Sequence, residues 1–232
     1  MKTIGILGGM SWESSAEYYR IINQSVRDQL GGFHSADVLL YSLNFHDVEQ
    51  LQHQGRWEEA GQLLNQGALR LERGGAECFI LATNTMHKLV DPMLNGVSIP
   101  FIHIVDPTAH AIRSAGIDTV GLLGTRYTME GDFYAGRLRN HFGLSVRIPD
   151  EAGRSLVHDC IYEELVMGTI REDSRLGYIS VIEQLVADGA QGIILGCTEI
   201  MLLIQQEHST VPVFDTTRLH ALAAVDMALD GA

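Results

Sequence analysis

The chain has 232 residues, 46% of them hydrophobic, with 24 glycines and a formal net charge of −13. That length admits one large or two small domains, with a substantial core that needs neither disulfides nor metals. The acidic balance leaves no basic patch to neutralise phosphate, which argues against a nucleic-acid or anionic-membrane partner.

Residues 3–7 read as a short apolar strand ending in Gly8-Gly9. Tyr18, Ile21, Ile22, Val26 and Leu30 then recur at helical spacing and stop at Gly31-Gly32. Residues 38–41 are the next strand. Trp57, Ala60, Leu63, Leu64 and Leu71 mark a second helix that stops at Gly74-Gly75, and residues 78–81 are the third strand. The second half repeats the plan. Residues 119–123 and 144–148 read as strands, with Phe133 to Leu138 in a helix between them. Helical stretches follow at about 156–167 and 178–188, then a buried strand at 193–195, a short helix at 200–205 and a terminal helix at 216–229.

Continuous apolar strands alternating with helices predict parallel sheets covered on both faces. The expected architecture is α/β, with two pseudo-symmetric Rossmann-like or flavodoxin-like lobes. The first spans residues 1–98 plus 211–232 and the second 99–210, with the terminal helix returning to the first lobe. Ligands of such sheets bind beyond the carboxyl ends of the strands. Gly8-Gly9, Thr83, Gly124-Thr125 and Cys197 all sit at such ends, and a cleft between the lobes is where they are expected to converge.

The two halves also resemble each other residue by residue. Gly75 to Thr85 aligns without gaps on Gly189 to Glu199, about half the chain later. Ile4 to Gly8 resembles Val120 to Gly124, and Ile99-Pro100-Phe101 resembles Val211-Pro212-Val213, in the same order. Thr83 and Cys197 occupy equivalent places in this repeat. A duplicated fold can aim such residues at one substrate from opposite sides, which is what inverting a carbon requires.

Cys197 stands just past a buried strand and before a short helix, where a helix N-terminus favours thiolate. Glu199 is placed to orient the thiol or exchange a proton with it, although its charge opposes ionisation. Cys78 and Cys160 fall within a strand and on a helical face and read as core. An odd set of three cysteines with no paired spacing points to reduced thiols in a cytoplasmic protein. The first apolar run is too short for a signal peptide, and no segment approaches a membrane span.

Thr83-Asn84-Thr85 is a cluster of small polar side chains suited to binding a carboxylate, and equally suited to capping a helix. His87 follows as a candidate acid/base. Gly5 to Ser11 is glycine-rich but lacks the Gly-x-Gly-x-x-Gly dinucleotide fingerprint. Gly124-Thr125 is its partner in the repeat and fits a small anion. No His/Cys cluster has zinc spacing, so no metal is expected. Lys2 and Lys88 are the sole lysines and neither has a supporting motif, which argues against pyridoxal phosphate and for no cofactor.

Three segments carry a resemblance to the aspartate/glutamate racemase superfamily that covers nearly the whole chain. Gly8-Gly9-Met10-Ser11-Trp12-Glu13-Ser14 is similar to its N-terminal loop, Asn84-Thr85-x-His87 to its first catalytic motif, and Gly196-Cys197-Thr198-Glu199 to its second. The resemblance implies a cofactor-independent, two-lobe enzyme, often a homodimer, that racemises small-molecule amino acids through two cysteines. It implies Cys197 as the base acting on the L-enantiomer. It further implies Asn84, Thr85, Thr125 and Thr198 as ligands of the α-carboxylate, with Met10 lining the pocket. For a distal carboxylate, Gln52 and Arg56 are the nearest candidates, and helix 156–167 offers no lysine.

The family's first cysteine is replaced here by Thr83, a much weaker acid than a thiol, whose pKa is about 8.5. Thr83 or a water molecule is then expected to serve the face opposite Cys197. Two other readings stay open: a single-cysteine decarboxylase of a malonate-type acid, and a non-catalytic binder of amino acids or carboxylates.

Overall fold

The computed structural model describes residues 1–230, which form two compact units. One comprises residues 1–104 together with the chain from His220, the other Val105–Leu219.

In the first unit β1 (Ile4–Gly8) leads into α1 (Trp12–Leu30), then β2 (Val38–Ser42), α2 (Phe45–His53), α3 (Trp57–Arg73) and β3 (Cys78–Leu81). A 3-10 turn over Thr85–Leu89 and the one-turn α4 (Val90–Met93) precede β4 (Phe101–Ile102). The four strands are parallel in the order β2-β1-β3-β4, with Ile4 opposite both Val38 and Cys78. Side chains alternate across a strand, and the core divides accordingly. Ile4, Ile6, Cys78 and Ile80 face a cluster that includes Tyr18, Ile22 and Val26. Leu7, Phe79 and Leu81 face Val48, Leu64, Ala68 and Leu71 on the other side. Each fully buried side chain such as Leu64 contributes about 1.5–3 kcal/mol.

The second unit contains α5 (Val105–Ser114), β5 (Thr119–Gly124), α6 (Arg126–Glu130), α7 (Asp132–Phe142) and β6 (Ser145–Arg147). It continues with α8 (Glu151–Glu163), α9 (Glu172–Ala187), β7 (Ile193–Gly196), α10 (Ile200–Leu203) and β8 (Val213–Asp215). Its parallel sheet has the order β6-β5-β7-β8, the same topology as the first. The repeat extends to single residues. Gly75 and Gly189 end equivalent helices with φ of 99° and 95°. The amides of Glu77 and Gln191, two residues later, donate to the Thr3 and Thr119 carbonyls, each at 2.9 Å.

The units divide at Ile104/Val105 and Leu219/His220, not at 98/99 and 210/211. Strand pairing is the reason: β4 completes the first sheet against β3, and β8 completes the second against β7. Helix α11 (Thr216–Leu229) therefore begins in the second unit, and its Ala221, Ala224, Val225 and Ala228 belong to the core of the first.

Other boundaries move because caps sit outside the apolar stripe. α1 begins at Trp12, since the Ser11 side chain accepts from the Ser14 amide. The stretch expected at 156–167 is α8, started by Asp150 accepting from the Gly153 amide at 2.8 Å, followed by a 3-10 turn at Leu165–Met167. Among the described residues no helix is long and apolar enough to cross a membrane. Nor, among them, is any group of three or more His, Cys, Asp or Glu placed to hold a metal.

Candidate active site

The polar strand ends of the first unit gather around the termini of β1 and β3. Gly9 takes φ of 90°, and a Cβ there would lie 2.1 Å from the Leu43 carbonyl oxygen, so the turn admits only glycine. The Gly9 amide donates to Ser15 Oγ at 2.8 Å, and that hydroxyl donates to the Ser11 carbonyl at 2.9 Å. Met10 is buried directly in this turn. Ser11, Ser14 and Ser15, which hold the loop, carry no signal beyond a Ser-x-x-Ser spacing after a glycine-rich strand end.

At the end of β3, Thr83, Asn84 and Thr85 are all buried. The Thr83 amide donates to the Leu81 carbonyl at 2.8 Å, which turns the chain sharply. Asn84 occupies the cap position of the following 3-10 turn, but its side chain makes no capping bond. The helix-cap role weighed for this cluster is thus not how Asn84 is used.

His87 is held by main chain at both ring nitrogens. Its Nε2 accepts from the Ile104 amide at 3.1 Å, so the proton lies on Nδ1, which donates to the Thr83 carbonyl at 2.7 Å. Both ring nitrogens are thus paired with backbone groups, one at the Thr83 turn and one at Ile104.

Gln52, on α2, is buried and donates from Nε2 to Met86 Sδ at 2.7 Å, which puts it beside the Thr83 segment. Arg56 is half exposed and bound to Glu59, with Nε to Oε1 at 2.6 Å. Of the two candidates for a distal group, Gln52 is buried and Arg56 is exposed.

In the second unit Thr125 caps α6 and accepts from the Thr128 amide at 3.3 Å, the counterpart of Ser11 and Ser14. The ends of β5 and β7 touch: a Cβ on Gly124 would lie 2.8 Å from the Gly196 carbonyl oxygen. Thr125 is therefore brought beside the Gly196-Cys197-Thr198-Glu199 turn.

That turn is buried and built around one carboxylate oxygen. Cys197 Sγ donates to Glu199 Oε2 at 3.0 Å, and Thr198 Oγ1 donates to the same atom at 2.8 Å. Burial, followed by the Glu199 charge, pushes the Cys197 thiol well above its ordinary range, against weaker opposing bonds from the Glu199 and Thr198 amides. The shift runs toward the thiol, opposite in direction to the one expected from a helix N-terminus. The helix concerned, α10, is a single turn, and burial is the largest influence on the thiol.

Behind Cys197 lies a second buried polar group. Tyr178 donates to the Val157 carbonyl at 3.1 Å, and its pKa is raised first by burial and then by Cys160 and Cys197. Cys160 Sγ donates to Glu164 Oε2 at 3.7 Å, with Ser174 Oγ on the same oxygen at 2.5 Å. Burial and Glu164 push the Cys160 thiol up to about 11. Tyr178 sits on an apolar helical stripe, so nothing in the sequence distinguishes it from core.

The sequence profile of the Asp/Glu/hydantoin racemase family matches residues 7–224. Among curated proteins the chain is similar to the broad specificity amino-acid racemase RacX of Bacillus subtilis, with 22% identity over 97% of this chain and 98% of RacX. Among solved structures it is similar to a candidate Asp/Glu racemase from Yersinia pestis. That match has 54% identity and a TM-score of 0.92 over 99% of this chain and 100% of the other. An aspartate racemase homologue from Pyrococcus horikoshii matches at 33% identity and a TM-score of 0.85, over 98% and 99% of the two chains.

Proposed function

The chain belongs to the Asp/Glu/hydantoin racemase family, and from that premise we propose that it racemises a free amino acid by α-proton abstraction, with no cofactor. Cys197 is the base acting on the L-enantiomer, and Thr83 or a water molecule serves the opposite face. The observation that carries this reading is the Cys197–Glu199 hydrogen bond of 3.0 Å. A carboxylate on the thiol proton gives that proton somewhere to go. The same negative charge makes the resulting thiolate a stronger base, which suits a weakly acidic α-carbon.

Asn84, Thr85, Thr125 and Thr198 bind the α-carboxylate in this reading, Met10 lines the pocket and Gln52 meets the substrate side chain. A buried neutral amide at that position fits aspartate, glutamate or a broader range of amino acids. Glu199 is the supporting acid/base. The enzyme works as a cytoplasmic homodimer, a compartment supported by three cysteines that are all free thiols.

The test is proton NMR in D₂O with L-Asp, L-Glu and a panel of neutral amino acids, together with chiral analysis and a Cys197→Ala control. Loss of the α-proton signal that requires Cys197 is the expected result and identifies the substrate. Absence of exchange with every amino acid would overturn the reading. Release of CO₂ from a malonate-type acid would then select a decarboxylase, and saturable binding without exchange a binder.

A further inference from the structure

Three buried histidines lie together in the first unit, and two of them act on the residues where the chain leaves and re-enters it. Ile104 is the last residue before the crossing to the second unit, and His220 is the first residue after the return. His87 takes the Ile104 amide on Nε2 at 3.1 Å and gives its Nδ1 proton to the Thr83 carbonyl at 2.7 Å. His220 gives its Nε2 proton to the Ile102 carbonyl at 2.8 Å, and its Nδ1 is paired with the Tyr18 hydroxyl at 2.9 Å. The His87 and His220 rings meet edge to face, with centroids 5.9 Å apart, and His103 lies 4.6 Å from His87 on the same terms.

From this we infer that His87 is a positioning residue: a neutral latch that fastens the Thr83 turn to the crossing at Ile104, with His220 fastening the return beside it. The inference rests on the racemase reading for its effect on rate, and on hydrogen-bond sense alone for the latch itself. An amide can only donate and a carbonyl can only accept, so both partners of His87 fix its tautomer. An imidazolium would set an N–H against the Ile104 N–H, and the Nδ1-unprotonated tautomer would set a lone pair against the Thr83 carbonyl. His220 is held less strictly, since a phenol can reverse its sense. Thr83 carries the hydroxyl assigned to the second face of the substrate. Loosening its carbonyl therefore misplaces that hydroxyl without touching it.

The experiment uses the full chain with ¹⁵N-labelled histidine. Two-bond ¹H–¹⁵N correlation, with the His87 signals assigned by their loss in His87→Asn, is expected to show Nδ1 protonated and Nε2 bare between about pH 6 and pH 8. An imidazolium or an Nε2–H tautomer in that range would overturn the latch. His87→Asn keeps an amide N–H where Nδ1–H stood but cannot transfer protons. It is expected to retain Cys197-dependent α-exchange within about tenfold. His87→Ala, lacking the donor, is expected to lose about 10²-fold, mostly in kcat, as displacement of a reacting group does. A His87→Asn variant that is folded yet as inactive as His87→Ala would restore a proton-transfer role and defeat the inference. If His87→Ala does not fold, the comparison of His87→Asn with the unmodified chain decides. If the unmodified chain exchanges no α-proton, the functional reading fails, and the tautomer spectrum still decides the latch.

Discussion

Cys197 Sγ donates to Glu199 Oε2 across 3.0 Å, so a thiol proton and a carboxylate are held together at the buried end of β7. Glu199 opposes ionisation of Cys197 while offering its proton a place to go. A base assembled this way is scarce in its active form and strong once formed.

Replacing Glu199 with Gln removes the charge but keeps the shape. The Cys197 thiol should fall toward its ordinary range, because a negative neighbour raises a thiol pKa and its removal lowers it. Iodoacetamide should then modify Cys197 faster at neutral pH, while α-exchange drops about 10²–10⁴-fold for loss of the proton acceptor. Unchanged alkylation in Glu199→Gln would show that burial alone sets the thiol, and slower alkylation would contradict the charge argument.

Thr83 is buried at the place equivalent to Cys197 in the repeat, yet its hydroxyl is scarcely ionised at neutral pH. For the L-substrate, exchange of the α-proton should therefore outrun inversion. Thr83→Cys should bring the two rates together, with inversion gaining up to about 10²–10⁴-fold. Deuterium incorporation and chiral chromatography on one sample measure both. The equilibrium ratio of enantiomers stays at unity in either protein. Equal exchange and inversion rates in the unmodified chain would refute the asymmetry.

Gly9 and Gly75 separate two costs of a side chain. Both have φ near 90°, but a Cβ on Gly9 meets the Leu43 carbonyl at 2.1 Å, whereas one on Gly75 meets nothing within 4 Å. Gly75→Ala should lose about 1–2 kcal/mol from conformation alone. Gly9→Ala should lose more, since the clash falls on backbone and the turn carrying Met10 must shift. Urea midpoints at constant m-value report the difference. Equal losses would show that the loop relaxes freely.

Stability should fall as pH rises through the thiol range. Cys160 is held at about 11 in the folded chain, against about 8.5 unfolded. Between those values the native state binds the proton more tightly, so the unfolded state ionises first and gains. Cys78 and Cys197 are shifted in the same direction. Cys160→Ser should flatten the decline of the urea midpoint over that window. An unchanged slope would assign the decline to the other two thiols.

The inner strands β1 and β7 are legible in the sequence because they are buried on both faces, so Ile4 to Leu7 and Ile193 to Leu195 read as unbroken apolar runs. Helix starts are less so, since Ser11 and Asp150 act through single capping bonds that leave no periodic trace. The unit boundaries also escape, because β4 and β8 are too short to show that each closes the sheet before it.

At the candidate site, the repeat by itself determined that Thr83 and Cys197 are equivalent, since equivalence is a property of order along the chain. What those side chains do was decided by tertiary structure. Nothing in Asn84-Thr85-x-His87 reveals that His87 faces an amide and a carbonyl, because Ile104 lies on a different strand end. Nothing in Gly196-Cys197-Thr198-Glu199 reveals that burial outweighs the helix terminus. A proton's position depends on solvent exclusion and on the sense of its partners, and both are set only when distant segments close around it.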